Sequence, residues 1–275
     1  MTTSDAPSPT PDRRVSARMS FEVDSLTSFV LSLAVADRSL LIEETRRVRL
    51  DGVDVEFTEE HDAHDTRLDL FSTSGGLLEI DYDAVVRGRG VAAPGRALDT
   101  VEYLRPSRYC ESDSLTGFAR ERFGVLAGVD LLLAVTEWVH RELSYVSGSS
   151  TPTDSAQTTL DRGEGVCRDY AHVVITLLRA LDVPARLVSV YAPGLEPMDF
   201  HAVVEALVDG RWLVVDATRL APRRSMVRIA TGRDAADTAF LTNTLADIRL
   251  QSLTVDAVQD GAPAEDDPDE LVELG

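Results

Sequence analysis

Cys167, His201 and Asp216 have the types and the order that thiol catalysis needs. Cys167 follows a turn made by Gly163 and Gly165, and apolar residues at Ala171, Val174, Leu177, Leu178 and Leu181 then recur at helical spacing until Pro184 ends the pattern. A cysteine that opens a helix sits at the positive end of the macrodipole, beside unpaired N–H groups, where a thiolate nucleophile is favoured. Asp209-Gly210, between two alternating apolar runs, predicts a two-residue hairpin turn. With Val208 opposite Arg211, Leu207 faces Trp212, Glu205 faces Val214 and Val203 faces Asp216, so Asp216 lies diagonally from His201 on one sheet face. A diagonal pair has its Cβ atoms about 7 Å apart, within reach of an imidazole and a carboxylate. A carboxylate ending the apolar run Trp212-Leu213-Val214-Val215 also needs a hydrogen-bond partner. Nucleophile, general base and orienting group are thus all present.

The other candidates carry less chemistry. His172 is five residues beyond Cys167, about 140° around the same helix, and is read as structural. His140 is read as a surface or supporting group. His61 and His64, in Glu-Glu-His-Asp-Ala-His-Asp, have metal-like spacing but fall in a polar connection and are read as solvated. Cys110 has no activating neighbour in sequence and is assigned to packing. The sequence calls for no metal and no cofactor.

The elements that must position these residues fall into two groups. Period-two alternation from Phe21 to about Val86 predicts antiparallel strands, with Thr66–Ser72 and Leu77–Val86 joined as a hairpin through Ser74-Gly75-Gly76. Glycines and proline at Gly88, Gly90, Pro94 and Gly95 predict a boundary. Beyond it come helices over about 113–123 and 129–143, a short helix capped by Asp154 or Ser155, and the cysteine helix. Strands over 186–191, 199–208 and 211–216 follow. Helices followed by strands predict an α+β fold. The expected organisation is a disordered leader over 1–20, a β-rich domain over 21–95, a catalytic domain over 99–250 and a disordered acidic tail over 256–275.

A net charge of −20 leaves no basic footprint for nucleic acid or an anionic membrane, so neither is an expected partner. All 27 basic residues are arginine. Two cysteines do not make a secreted disulfide framework, and neither a signal-peptide pattern nor an uncharged spanning stretch is visible. A cytoplasmic, reduced setting is expected.

Gly165-Val166-Cys167-Arg168-Asp169-Tyr170-Ala171-His172, then Asp199-Phe200-His201-Ala202-Val203-Val204-Glu205, then Gly210-Arg211-Trp212-Leu213-Val214-Val215-Asp216-Ala217-Thr218 resemble the three-part signature of the bacterial transglutaminase-like family. The resemblance covers most of residues 21–250. It implies a papain-like core with Cys167 as nucleophile, His201 as base and Asp216 as orienter. Animal transglutaminases carry an aromatic residue directly after the cysteine, where this chain has Arg168.

The expected activity is acyl chemistry on a peptide or protein amide through a thioester, with hydrolysis favoured because Arg168 would repel a cationic amine if it faced the site. Acyl transfer to an amine is the first alternative. A non-catalytic binding or scaffolding module on the same fold is the second.

Overall fold

The computed structural model describes residues 11–261 and 265–275. The first half supplies β1 (Arg13–Val23), β2 (Thr27–Leu31), β3 (Leu41–Leu50), β4 (Val53–Asp54), β5 (Thr58–His61), β6 (Arg67–Thr73) and β7 (Gly76–Val86). Along β1 and β7 every second residue is buried, among them Val15, Ala17, Met19, Phe21, Leu78, Ile80 and Tyr82. These join Phe29 and Leu31 of β2 and Phe71 of β6 in one apolar cluster between two antiparallel sheets. Phe29 and Phe71 stack there with centroids 5.0 Å apart.

The helical half holds α1 (Asp99–Glu102), α2 (Ser112–Phe123), α3 (Gly128–Glu142), β8 (Ser144–Tyr145), α4 (Ala156–Arg162), β9 (Glu164–Gly165) and α5 (Cys167–Ala180). Ser155 caps α4 as predicted, and Gly163 ends it with φ 71°, a left-handed conformation that glycine adopts without a Cβ clash. Next come β10 (Ala185–Tyr191), β11 (Phe200–Val208), β12 (Arg211–Val215), β13 (Val227–Gly232), β14 (Leu241–Thr244) and β15 (Ile248–Gln259). A four-stranded sheet in the order β12-β11-β10-β13 packs against α5, which is buried along almost its whole length. Ala185, Leu187, Ala202, Val204, Ala206, Leu213 and Val215 supply the helix side of this sheet. Each fully buried Leu or Val contributes roughly 1.5–3 kcal/mol through the water it sheds, so the helix and its cysteine are fixed by packing. The fold is α+β.

Four sequence expectations are corrected. Arg13–Ser20 is not leader but the start of β1, paired on both sides by β7 and β15. Arg14, Ser16, Arg18 and Ser20 occupy the outward positions of a period-two strand, which makes the segment read as polar. The part of the leader over 1–10 lies outside the described residues. β6 and β7 are not a hairpin: β6 pairs with β2 and β5, β7 with β1 and β3, and the chain crosses between sheets at Gly75-Gly76. A Cβ on Gly75 would come 2.9 Å from the Asp24 carbonyl oxygen, so the glycines serve a close backbone approach as well as a turn.

The chain also returns to the first-half sheets before residue 250, since β14 pairs with β2 and β15 with β1. Finally, the acidic tail is ordered where it is described. Asp256 lies in β15, Val272 forms a β-bridge with Val214, and Val272 and Leu274 are buried. Arg223 donates to the Asp266 carboxylate and the Glu270 carbonyl, and Arg211 to Glu273. Arginines distant in sequence thus hold down a segment that reads as disordered. Residues 262–264 of the tail lie outside the described residues.

Candidate active site

Val166 precedes α5 in extended conformation, and the N–H groups of Asp169 and Tyr170 both donate to its carbonyl, at 2.9 and 3.1 Å. The buried Asp169 carboxylate accepts from the Val166 N–H at 2.8 Å and from the Ser150 hydroxyl at 3.0 Å, tying the helix start to the loop before α4. A Cβ on Gly165 would lie 2.7 Å from the Asp169 Cβ, so only glycine fits against this cap. The turn therefore presents Cys167, partly exposed, at the helix mouth.

The hairpin register is the predicted one: Val208 faces Arg211, Leu207 faces Trp212 and Glu205 faces Val214. It brings His201 and Asp216 together, with Nε2 of the imidazole 2.7 Å from Asp216 Oδ2 and both side chains buried. The second carboxylate oxygen accepts from the Thr218 N–H at 2.9 Å and the Thr218 hydroxyl at 2.7 Å. Since Asp216 is acceptor-only when ionised, this bond places the His201 proton on Nε2. Nδ1 is buried and has no hydrogen-bond partner among the described residues.

Burial opposes charge on His201, but the Asp216 carboxylate and then Cys167 outweigh it and lift the pKa to about 10. Burial likewise opposes charge on Asp216, yet His201 and the Thr218 donors carry its pKa below the usual carboxylate range. A cation beside the sulfur and an anion behind the ring are what a cysteine nucleophile with a histidine base requires.

The other sequence candidates fall elsewhere. His172 is fully buried, stacked on Tyr109 with centroids 5.2 Å apart, and its Nε2 accepts from the Ala235 N–H. Burial takes its pKa down to about 3, so it is a neutral packing residue. His140 donates through Nδ1 to the carbonyl of Ala217, next to Asp216, at 2.8 Å, bracing that turn. His64 Nδ1 lies 2.7 Å from the Tyr103 hydroxyl, and no cluster of potential metal ligands occurs among the described residues. Cys110 is buried and burial pushes its thiol up to about 12.

Arg168 does not stand free beside the sulfur. It is tied to the Ser150 hydroxyl at 2.6 Å and the Thr151 carbonyl at 2.8 Å. Glu205, the last residue of the second motif, is fully buried between Arg186 and Arg228 and anchors the sheet. Two residues escape a sequence reading. Thr218 carries no signal beyond closing the third motif, and Tyr145 lies outside all three motifs. Only strand pairing, with Tyr145 opposite Gly165, reveals the second.

A transglutaminase-like superfamily model matches residues 118–217, a span that contains Cys167, His201 and Asp216. A proposed cysteine protease from Cytophaga hutchinsonii, known from its crystal structure, is 31% identical to this chain with a TM-score of 0.86, covering 94% of this chain and 93% of that one. The chain belongs to the transglutaminase-like superfamily. Membership carries with it a papain-like fold. An uncharacterized protein from Mycobacterium leprae is 27% identical over 40% of this chain and 42% of its own length. Another, from Mycobacterium tuberculosis, is 30% identical over 50% of this chain and 49% of its own. The chain thus spans about half the length, or less, of the curated relatives it matches.

Proposed function

We propose that the protein cleaves peptide-like amides through a Cys167–His201–Asp216 triad, with water as the usual acceptor. The supporting observation is the buried 2.7 Å His201–Asp216 hydrogen bond, which leaves Nδ1 unpartnered in a ring on which Cys167 also acts. In this reading the Cys167 proton resides on His201 Nδ1 and the sulfur attacks the amide carbonyl carbon. The C=O π pair moves to oxygen, and the oxyanion is met by the Cys167 N–H at the helix mouth. As the carbonyl re-forms, the C–N bond breaks and the leaving nitrogen takes the Nδ1 proton, giving a thioester and a free amine. Neutral His201 then takes a proton from water as its oxygen attacks the thioester. Collapse of that intermediate expels the sulfur and yields the free acid.

The test is mass spectrometry after exposure to electrophiles carrying different peptide side chains. An adduct on Cys167 that depends on the side chain and is lost in His201→Ala supports the reading. Labelling that survives His201→Ala and ignores the side chain overturns it.

Acyl transfer to an amine is the second reading, and two observations favour it. Arg168 is engaged by Ser150 and Thr151, which removes the expected repulsion of a cationic acceptor. The Asp199 carboxylate, two residues before His201, bears on the Tyr145 hydroxyl beside Cys167. With an acyl substrate and millimolar primary amine together, hydrolysis gives mostly free acid. A mostly amide product, formed faster as amine rises, makes the enzyme a transferase.

A further inference from the structure

The Cys167 N–H is one hydrogen-bond donor at the point where negative charge would develop, and a helix mouth by itself supplies only backbone. β8 brings a side chain to the same place. Its parallel pairing with β9 sets Tyr145 beside Gly165, two residues before the cysteine, through bonds from the Ser144 N–H to the Gly163 carbonyl at 2.9 Å and from the Val146 N–H to the Gly165 carbonyl at 3.0 Å. Tyr170, one turn into α5, fixes the same segment twice. Its hydroxyl donates to the Leu143 carbonyl at 2.7 Å, and its ring lies 6.0 Å from that of Tyr145. The phenol is thus clamped to the frame that holds the nucleophile, while remaining 42% exposed to incoming substrate.

We propose that Tyr145 is a catalytic residue whose hydroxyl, together with the Cys167 N–H, donates to the oxyanion formed when the thiol adds to a substrate carbonyl. Its protonation suits that role. Burial, and then the nearby Cys167 thiol, push the phenol up to about 12, against the Cys167 N–H that acts on it in the opposite sense, so it stays an O–H donor across the working pH range. The phenol transfers no proton: it shares a hydrogen bond with the oxyanion while the S–C bond forms, and again while water adds to the thioester.

This inference rests on the thiol acyl chemistry proposed above, and one variant separates the two. Tyr145→Phe removes the hydroxyl and keeps the ring against Tyr170. Two probes are compared. p-Nitrophenyl acetate acylates the sulfur through a tetrahedral oxyanion, whereas iodoacetamide alkylates it by displacement at carbon with no oxyanion at all. Tyr145→Phe should slow the burst of p-nitrophenolate on the order of 10²-fold, the usual effect of losing one oxyanion donor. KM and the pH profile should be little changed, and the iodoacetamide rate should match that of the unaltered protein. An unchanged burst overturns the assignment, as does an equal slowing of both reactions, which would make Tyr145 a support for Cys167. If the unaltered protein gives no burst and no acetyl adduct on Cys167, the acyl reading itself fails.

Discussion

Thr218 holds Asp216 by two bonds to a single oxygen, its N–H at 2.9 Å and its hydroxyl at 2.7 Å, so that Oδ2 is left for His201 alone. The carboxylate is fixed from behind, and the ring it faces is fixed in turn. Both side chains are buried, so the bond between them is made away from bulk water, where a hydrogen bond is electrostatically stronger.

Asp216→Asn is nearly isosteric and should leave the fold intact while lowering turnover by about 10²–10⁴-fold, since an amide neither enforces the same tautomer nor stabilises an imidazolium. His201→Ala should cost at least as much. Circular dichroism and burst kinetics on each variant provide the check, and activity surviving in both would remove the triad from consideration.

The pH dependence follows from the raised pKa of His201. A group whose pKa is lifted on folding from 6.5 to about 10 stabilises the native state fully below pH about 6.5, and this contribution is lost as pH rises through about 10. Asp216, lowered on folding, contributes above its unfolded value near 4 and loses that contribution as pH falls. Urea midpoints at pH 5, 7, 9 and 10.5 should therefore show the advantage of the unaltered protein over Asp216→Asn shrinking step by step from pH 7 to pH 10.5. A difference constant across the series would contradict the charged pair.

The two thiols should differ sharply towards mild iodoacetamide. Cys167 is partly exposed beside His201, whereas Cys110 is enclosed and burial pushes its thiol up to about 12. Peptide mapping after brief treatment of native protein should find carbamidomethyl on Cys167, with Cys110 reached only after unfolding. Faster reaction at Cys110 would refute the assignment of the nucleophile.

Arg223 should be the residue on which the ordered tail depends. Its buried guanidinium donates to the Val214 carbonyl at 3.0 Å as well as to Asp266 and Glu270. Arg223→Met leaves those acceptors unpaired and should destabilise the protein by about 1–3 kcal/mol. It should also hasten proteolysis between residues 265 and 275. Limited trypsin-independent digestion, for example with a Glu-specific protease, reads this directly, and an unchanged cleavage rate would show that the tail is held by its other contacts, among them Val272, Leu274 and the Arg211–Glu273 pair.

The sequence determined the parts of the site that depend on local geometry. Gly163 and Gly165 before Cys167, the apolar spacing to Pro184 and the Asp209-Gly210 turn are short-range constraints. With them, the helix start and the pairing of Val208 with Arg211 follow from counting, as does the meeting of His201 with Asp216. Tertiary structure decided what depends on partners far apart in the chain. β6 and β7 have the pattern of a hairpin, but period-two alternation fixes only which face is buried and leaves the neighbouring strand open, so the crossing between sheets at Gly75-Gly76 was not legible. Arg14 and Arg18 read as leader because their alternation with Val15 and Ala17 acquires meaning only when β7 and β15 flank them. The acidic tail read as disordered because its charges are balanced only by Arg211, Arg223 and Arg224, some 40–60 residues away. Residue types left open whether Arg168 faces the site, and only the 147–155 loop, folded back onto α5, could show it bound to Ser150 and Thr151. Tyr145 reaches the cysteine for the same kind of reason: β8 and β9 are two-residue strands with no period to detect, and a parallel pairing between them exists only once the helices around it have packed.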